Sequence, residues 1–322
     1  MQAILAVTIP FFALVLTGYL AARQHVLPES AIPGLNAYVL YFALPCMLFH
    51  FGAVTPLVEL LNPVVMGVYI VTATLIVGFT IAVTIGKKVH LKDAAFGALV
   101  AAFPNTGFMG LPMLVALLGP AAAGPMSCLM LVDFFYTSAA CIALSEWHDS
   151  AGQGTRVALV SALRGALSNP LPWAIALGAL ASLLDVRPTG ALETVIRMLA
   201  DSATPVALFA IGAVLWRSGQ RTRSRTRLSR VVPVALIKLV IHPILVFGLG
   251  LGAMRIGASL TNYQLMVITL AAALPSASNV SLLAERHGAD NGRVARIILT
   301  STVLAFGSFS ALAWLFGVAG YA

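Results

Sequence analysis

Apolar residues in this chain gather into unbroken runs rather than into the one-sided 3.6-residue or two-residue patterns of half-exposed elements. A hydrocarbon layer about 30 Å thick asks for roughly 20 such residues in a helix. On that measure spans are predicted at about 2–22, 32–53, 63–86, 94–118, 122–144, 158–184, 192–216, 231–254, 262–287 and 293–318. Two of them are interrupted near their middles, the fourth by Phe103-Pro104-Asn105-Thr106-Gly107 and the ninth by Leu274-Pro275-Ser276-Ala277-Ser278-Asn279. Each proline has no N–H and clashes with the carbonyl four residues back, here Val100 and Ala271. A lone proline merely kinks a helix. Two prolines, each followed by small polar residues, predict two broken helices. Inside a bilayer such a break leaves backbone groups unpaired at several kcal/mol each, so it must be enclosed by protein or line a watery cavity.

Composition supports a membrane protein with no room for a soluble domain. Of 322 residues, 60% are hydrophobic and 9% charged, against about 25% charged in a soluble domain. The fold class expected is an all-α polytopic membrane protein. The first run lacks a basic leader and is longer than a signal-peptide core, so it is expected to be retained although Ala21-Ala22 resembles a cleavage site. The net charge of +8 sits in short loops, which is the positive-inside pattern rather than a nucleic-acid surface. Loops after the odd-numbered spans hold 15 Lys and Arg, six of them in Arg217 to Arg230, against three on the other side. This places both termini outside and the 217–230 loop in the cytoplasm of a cell (inner) membrane protein, with lipid contact a lesser role for that loop. Cys46, Cys128 and Cys141 lie in apolar runs without metal or redox spacing and read as buried hydrophobes.

The halves of the chain repeat. Pro10, Gly18, Leu20 and Ala21 recur 160 positions later as Pro170, Gly178, Leu180 and Ala181; at the same offset Pro45, Leu48, Phe49, Gly52, Ala53 and Val54 recur as Pro205, Leu208, Phe209, Gly212, Ala213 and Val214. The two interruptions stand 171 apart, a difference the longer Arg-rich loop absorbs. The expected plan is ten transmembrane helices as two five-helix repeats, residues 1–148 and 149–322. An odd number of spans per repeat inverts the second copy, as in secondary transporters.

In that plan the half-helices beginning near Gly107 and Ser278 aim their N-termini at one midplane region from opposite sides. Unpaired N–H groups and the helix dipole favour a carboxylate or phosphate there. Candidate binding residues are Pro104, Asn105, Thr106, Gly107, Pro275, Ser276, Ser278 and Asn279, without an arginine or a fixed acid in either break. Carbonyls near Ala102-Phe103 and Ala273-Leu274 offer places for a cation. Asp133 is the one carboxylate deep in a span, and Lys238 lies a turn from His242. Asp133 and Lys238 admit two readings, a structural bridge or an ion or proton relay, and Lys238 a third, snorkelling to the interface. His50 reads as a satisfied buried histidine. No HExxH, GxSxG, Walker or GxGxxG pattern occurs, so neither enzyme chemistry, a metal nor a cofactor is expected.

These residues also carry a family resemblance. Phe103-Pro104-Asn105-Thr106-Gly107-Phe108-Met109-Gly110-Leu111-Pro112 resembles the PNT…MG(I/L)P segment of auxin efflux carriers, and Ala273-Leu274-Pro275 followed by Ser276 to Glu285 resembles their second crossover. Asn36 to Phe49, with Phe42-Ala43-Leu44-Pro45, and Lys238-Leu239 to His242-Pro243 are similar to bacterial members described as malonate permeases. The resemblance covers nearly the whole chain. It implies a bile-acid symporter-like fold with two broken crossover helices, a scaffold domain, a transport domain moving by alternating access, and carboxylate substrates. The long central loop of plant members is absent, and the residues after the second proline differ from theirs. The function expected is therefore a carrier for a small organic anion, with an anion channel as the alternative. The coupling ion, H+ or Na+, is left open; the partners expected are the anion, membrane lipid and a second copy in a homodimer.

Overall fold

Every named element among the described residues is a helix, in keeping with runs that carry no strand periodicity. The protein is described from a computed structural model covering residues 2–146, 167–186, 188–221 and 228–318. In chain order the main helices are α1 Gln2–Arg23, α2 Glu29–Val54, α3 Pro63–Thr84, α4 Leu91–Ala102, α5 Thr106–Leu118 and α6 Pro120–Glu146. After them come α7 Pro170–Leu183, α8 Gly190–Arg221, α9 Leu228–Arg255, α10 Asn262–Ala272, α11 Val280–Arg286 and α12 Asn291–Leu315. Seven of these are long and apolar enough to cross a membrane: α1, α2, α3, α6, α8, α9 and α12. The fourth and ninth expected spans are each divided in two, as α4 with α5 and α10 with α11. Of the sixth, the part from 158 to 166 lies outside the described residues.

Local chemistry sets several boundaries. Asn62 and Asn169 accept N–H groups of the first turns of α3 and α7, with Pro63 and Pro170 at positions that need no donor. Thr261 and Gln264 form a capping box at the start of α10. Pro45, Pro112 and Pro243 are absorbed by widening the helix. Five-residue π segments, Val39–Ala43, Thr106–Gly110 and Ile237–Ile241, lie directly before Leu44-Pro45, Leu111-Pro112 and His242-Pro243. In each, the amide before the proline reaches five residues back, which lets the chain pass the missing donor without ending the helix.

The helices pack in two groups. In one, α1 lies against α8, α2 against α7 and α8 against α2, and Tyr38 Oη and Ser202 Oγ hydrogen-bond at 2.7 Å between α2 and α8. In the other, α3, α4, α6, α9 and α10 pack together with α5, α11 and α12. Large apolar side chains such as Leu16, Phe79, Trp173 and Leu177 face outward, as a lipid-facing surface requires. The broken helices do not. Ala94 to Ala102 on α4 and Leu265 to Ala272 on α10 are all buried. Their alanines let neighbouring helices close in, Gly97 leaves room for the Arg293 guanidinium, and the interruptions are thereby shielded from hydrocarbon.

Glycines hold the first group together. A Cβ on Gly18 would overlap the Phe209 carbonyl, and one on Gly212 would overlap the Val15 carbonyl, so α1 and α8 touch backbone to backbone. A Cβ on Gly178 would stand 2.5 Å from the Phe49 oxygen, and one on Gly52 3.1 Å from Gly178 Cα. Gly18 and Gly178, and Gly52 and Gly212, are the pairs that recur at the 160-residue offset. Each glycine thus meets the helix carrying the counterpart of the other pair.

Candidate functional site

The two interruptions satisfy each other. Past Ala102 the backbone becomes extended at Phe103, with φ −101° and ψ 98°, because the residue before a proline avoids the α region. Pro104 then pairs antiparallel with Ser276 in an isolated bridge: Asn105 N–H donates to the Pro275 carbonyl at 2.8 Å, and Ala277 N–H to the Phe103 carbonyl at 3.0 Å. Each bond is worth about 1 kcal/mol net, but leaving the groups unpaired away from water would cost more. Ser276 is fully buried and tied to Ser301 on α12, whose hydroxyl lies 3.2 Å from both its N and Oγ. Pro275 and Ser276 therefore form the back of the bridge.

In front of the bridge lies a cavity of about 320 Å³. Of the residues expected to bind, Pro104, Asn105, Thr106, Gly107, Ser278 and Asn279 line it, whereas Pro275 and Ser276 do not. The second group of walls comes from Asn36 and Leu40 on α2, Asn169 and Leu171 at α7, and Val214 and Arg217 on α8. Phe108, Phe134 and Leu282 add apolar surface, and Ser281, Asn291 and Glu285 complete the polar side. Sequence reasoning missed Arg217 as a lining residue by placing it in a loop. Glu285, on α11 beyond the break, also lines the cavity, although it is exposed.

Donors dominate this lining. The amides of Gly107, Phe108, Ser278 and Asn279 have no protein acceptor among the described residues. Asn169 uses its oxygen on Leu171 N and so retains its N–H₂ group to offer, whereas Asn291 uses its oxygen on Ser281 Oγ at 2.6 Å and donates from its N–H₂ group to Glu285 Oε2 at 3.5 Å. Thr106 Oγ1 and Asn279 Oδ1 are buried without a partner. The first half-helix begins at Thr106, close to expectation, while the second begins only at Val280 and is seven residues long.

Asp133, Lys238 and His242, all fully buried, stand on the other side of the broken helices. Tyr69 Oη on α3 lies 3.2 and 3.3 Å from the two Asp133 carboxylate oxygens and 3.4 Å from the Ala102 carbonyl. Thr137 Oγ1 donates to Asp133 Oδ1 at 3.2 Å across a π segment, Asp133–Thr137. Lys238 Nζ donates to the Ala272 carbonyl and lies 3.1 Å from His242 Nδ1, whose ring stacks on Tyr69 at 5.9 Å. The last carbonyls of α4 and α10 are thus met by a hydroxyl and by a tethered ammonium. Asp133 and Lys238 make no direct ion pair within 4.0 Å; Tyr69 and His242 come between them. Tyr69 was not legible in sequence, because an intramembrane tyrosine looks like any other apolar filler. His50 is half-buried against the Phe51 ring, and Cys128 Sγ donates to the Leu60 carbonyl at 3.2 Å. No cluster of metal-binding side chains occurs among the described residues.

Known proteins resemble this chain throughout. The family model described as "Membrane transport protein" matches residues 3–314. The "Putative malonate transporter" of Rhizobium meliloti (strain 1021) is 30% identical over 98% of this chain and 96% of its own length. The "Uncharacterized transporter YfdV" of Escherichia coli (strain K12) is 25% identical over 86% of each chain. An "Uncharacterized transporter" of Methanothermobacter thermautotrophicus is 26% identical over 90% of this chain and 91% of its own. A match from end to end, joined to seven spans and two buried helix breaks, leaves one conclusion. The chain is a multi-pass membrane protein belonging to the membrane transport protein family, the family of the auxin efflux carriers.

Proposed function

We propose that this protein is a secondary carrier that moves a small carboxylate across the cell membrane, binding it where the interruptions at Pro104 and Pro275 meet. The observation that carries this reading is the set of four unpaired amides, of Gly107, Phe108, Ser278 and Asn279, all belonging to residues that line one cavity. Amides without acceptors in a site of low dielectric favour an anion that supplies acceptors. Asn105 and Thr106 add side chains to the same wall. The name of the Rhizobium relative is consistent with a carboxylate.

The architecture behind this reading is ten spans in two inverted repeats, 1–148 and 149–322, with both termini outside. It is supported by the crosswise glycine contacts at the repeat offset, which a two-fold axis in the membrane plane generates, and by the mutual pairing of the two breaks. The group α1, α2, α7 and α8 then serves as scaffold, and the group carrying the breaks as the moving body, with the cavity between them. Lys238 holds one of the carbonyl ends at which a coupling cation was expected.

The test is binding and counterflow of radiolabelled malonate with purified, reconstituted protein. Saturable exchange that Asn105→Ala weakens at least tenfold is expected. Unitary currents in planar bilayers would replace the carrier by a channel, and preferential binding of an organic amine would remove the carboxylate.

A further inference from the structure

The carbonyl ends of the two broken helices are met by different groups. At Ala272, where α10 stops, the donor is Lys238 Nζ. At Ala102, where α4 stops, the donor is the Tyr69 hydroxyl at 3.4 Å, and the same oxygen lies 3.2 and 3.3 Å from the two Asp133 carboxylate oxygens. A tyrosine has one O–H hydrogen. It cannot reach the Ala102 carbonyl and the carboxylate together. Asp133 and Tyr69 are both fully buried, and an ionisable side chain at that depth marks a proton or ion site by default. The titratable groups facing Asp133 are Tyr69 from α3 and, beyond its ring, His242 and Lys238 from α9. The buried lengths of α4 and α10, Ala94 to Ala102 and Leu265 to Ala272, carry none, nor does α5. Glu59 meets α6 at Gly124, and Cys141 lies on α6 itself, each roughly two turns or more from Asp133.

We infer that Asp133 is a proton-binding site and that Tyr69 is a positioning residue which carries its occupancy to the break at Pro104, so that proton and anion bind together. This rests on the anion site proposed above and adds a second ligand to it. With Asp133 ionised, Tyr69 donates to the carboxylate and the Ala102 carbonyl loses its donor. A proton from solution on Asp133 reverses the arrangement: the new carboxyl O–H donates to Tyr69 Oη, and the hydrogen of Tyr69 turns to the Ala102 carbonyl. The path to the cavity is short. Phe103 follows Ala102 and Phe134 follows Asp133; their rings meet edge to face at 5.9 Å, and both residues line the cavity. Protonation also removes a negative charge from behind the break, and the hydrogen bond draws electron density from the last carbonyl of α4. Both changes favour an anion beside Asn105 and Thr106, and by linkage the anion favours the proton to the same degree.

The experiment measures malonate affinity and protons taken up per malonate bound, by titration calorimetry of purified protein in buffers of different ionisation heat. It covers about pH 7 to 9, where free carboxylates stay ionised and any proton gained belongs to the protein. Wild-type affinity is expected to rise at least about threefold per unit fall in pH at its steepest, which corresponds to roughly half a proton taken up. Asp133→Asn keeps a donor toward Tyr69 but cannot take the proton; its affinity should stay within about twofold across the range, with no proton uptake. Tyr69→Phe keeps the ring on His242 and lacks the relay, so its pH slope should fall by at least about half, whereas a purely structural role would lower affinity alike at every pH. Malonate binding by wild type without proton uptake, or uptake that survives in Asp133→Asn, overturns the inference and leaves the carboxylate site standing. If Asp133→Asn is not monodisperse, Tyr69→Phe decides, and an unchanged slope overturns the inference. Absence of malonate binding at every pH removes the anion site and the inference with it.

Discussion

Adding single methyl groups to the four repeat glycines should destabilise the protein in a fixed order. For Gly18→Ala and Gly212→Ala the new Cβ overlaps a backbone carbonyl of the facing helix, Phe209 and Val15 respectively. Neither carbonyl can rotate away, since both belong to helical backbone, so α1 and α8 must separate by more than an ångström. Gly178→Ala places its methyl 2.5 Å from the Phe49 oxygen, which calls for a smaller shift. Gly52→Ala meets Gly178 Cα and the Ile175 oxygen, both at 3.1 Å, where a few tenths of an ångström suffice. Overpacking of this kind costs about 1–3 kcal/mol and occasionally more. Some of that is offset because alanine favours a helix over glycine by about 1 kcal/mol. The expected losses are therefore upwards of 2 kcal/mol for Gly18 and Gly212, about 1 for Gly178 and near zero for Gly52. Thermal unfolding of purified protein in detergent, read by intrinsic fluorescence, ranks the four variants. A Gly52 variant as damaged as the Gly212 variant, or a neutral Gly18 variant, would refute the backbone-to-backbone seam.

Three further predictions bear on the site and the topology. Asn105→Ala and Asn279→Ala are each expected to weaken carboxylate binding by roughly ten- to a hundredfold, the loss of about 1.5–3 kcal/mol for a hydrogen bond to a charged ligand, with unchanged elution on size exclusion; equal affinity in isothermal titration would count against the placement. Lys238→Met leaves the Ala272 carbonyl without its donor and should cost about 1–3 kcal/mol, while Asp133→Asn and Lys238→Met combined should depart from additivity by at least about 0.5 kcal/mol. Strict additivity in a double-mutant cycle would show that Tyr69 and His242 insulate the two. A cysteine at Ser224, which lies outside the described residues, should resist an impermeant maleimide in intact cells and react in inverted vesicles; the reverse would invert the topology.

The sequence by itself determined the class of protein and the location of its breaks. Spans follow from run length, because hydrocarbon forces every backbone group into a helix of sufficient length. Pro104 and Pro275 are legible because a missing N–H acts locally, whatever surrounds it. The repeat of Gly18 with Gly178 and Gly52 with Gly212 is likewise plain in the chain, but its meaning is not. Only packing decides that Gly18 meets Phe209 and that Gly52 meets Gly178, since helix contacts join residues far apart in sequence. The same holds at the site. Sequence names the polar residues after each proline, yet only the antiparallel bridge turns Ser276 toward Ser301 and leaves Ser278 and Asn279 on the cavity. Tyr69 against Asp133, Lys238 at the Ala272 carbonyl and Arg217 in the lining depend on which helix faces which. In an apolar span helical periodicity gives little guide to facing, because the lipid side and the protein side are both apolar, and tertiary contacts alone assign each polar residue its partner.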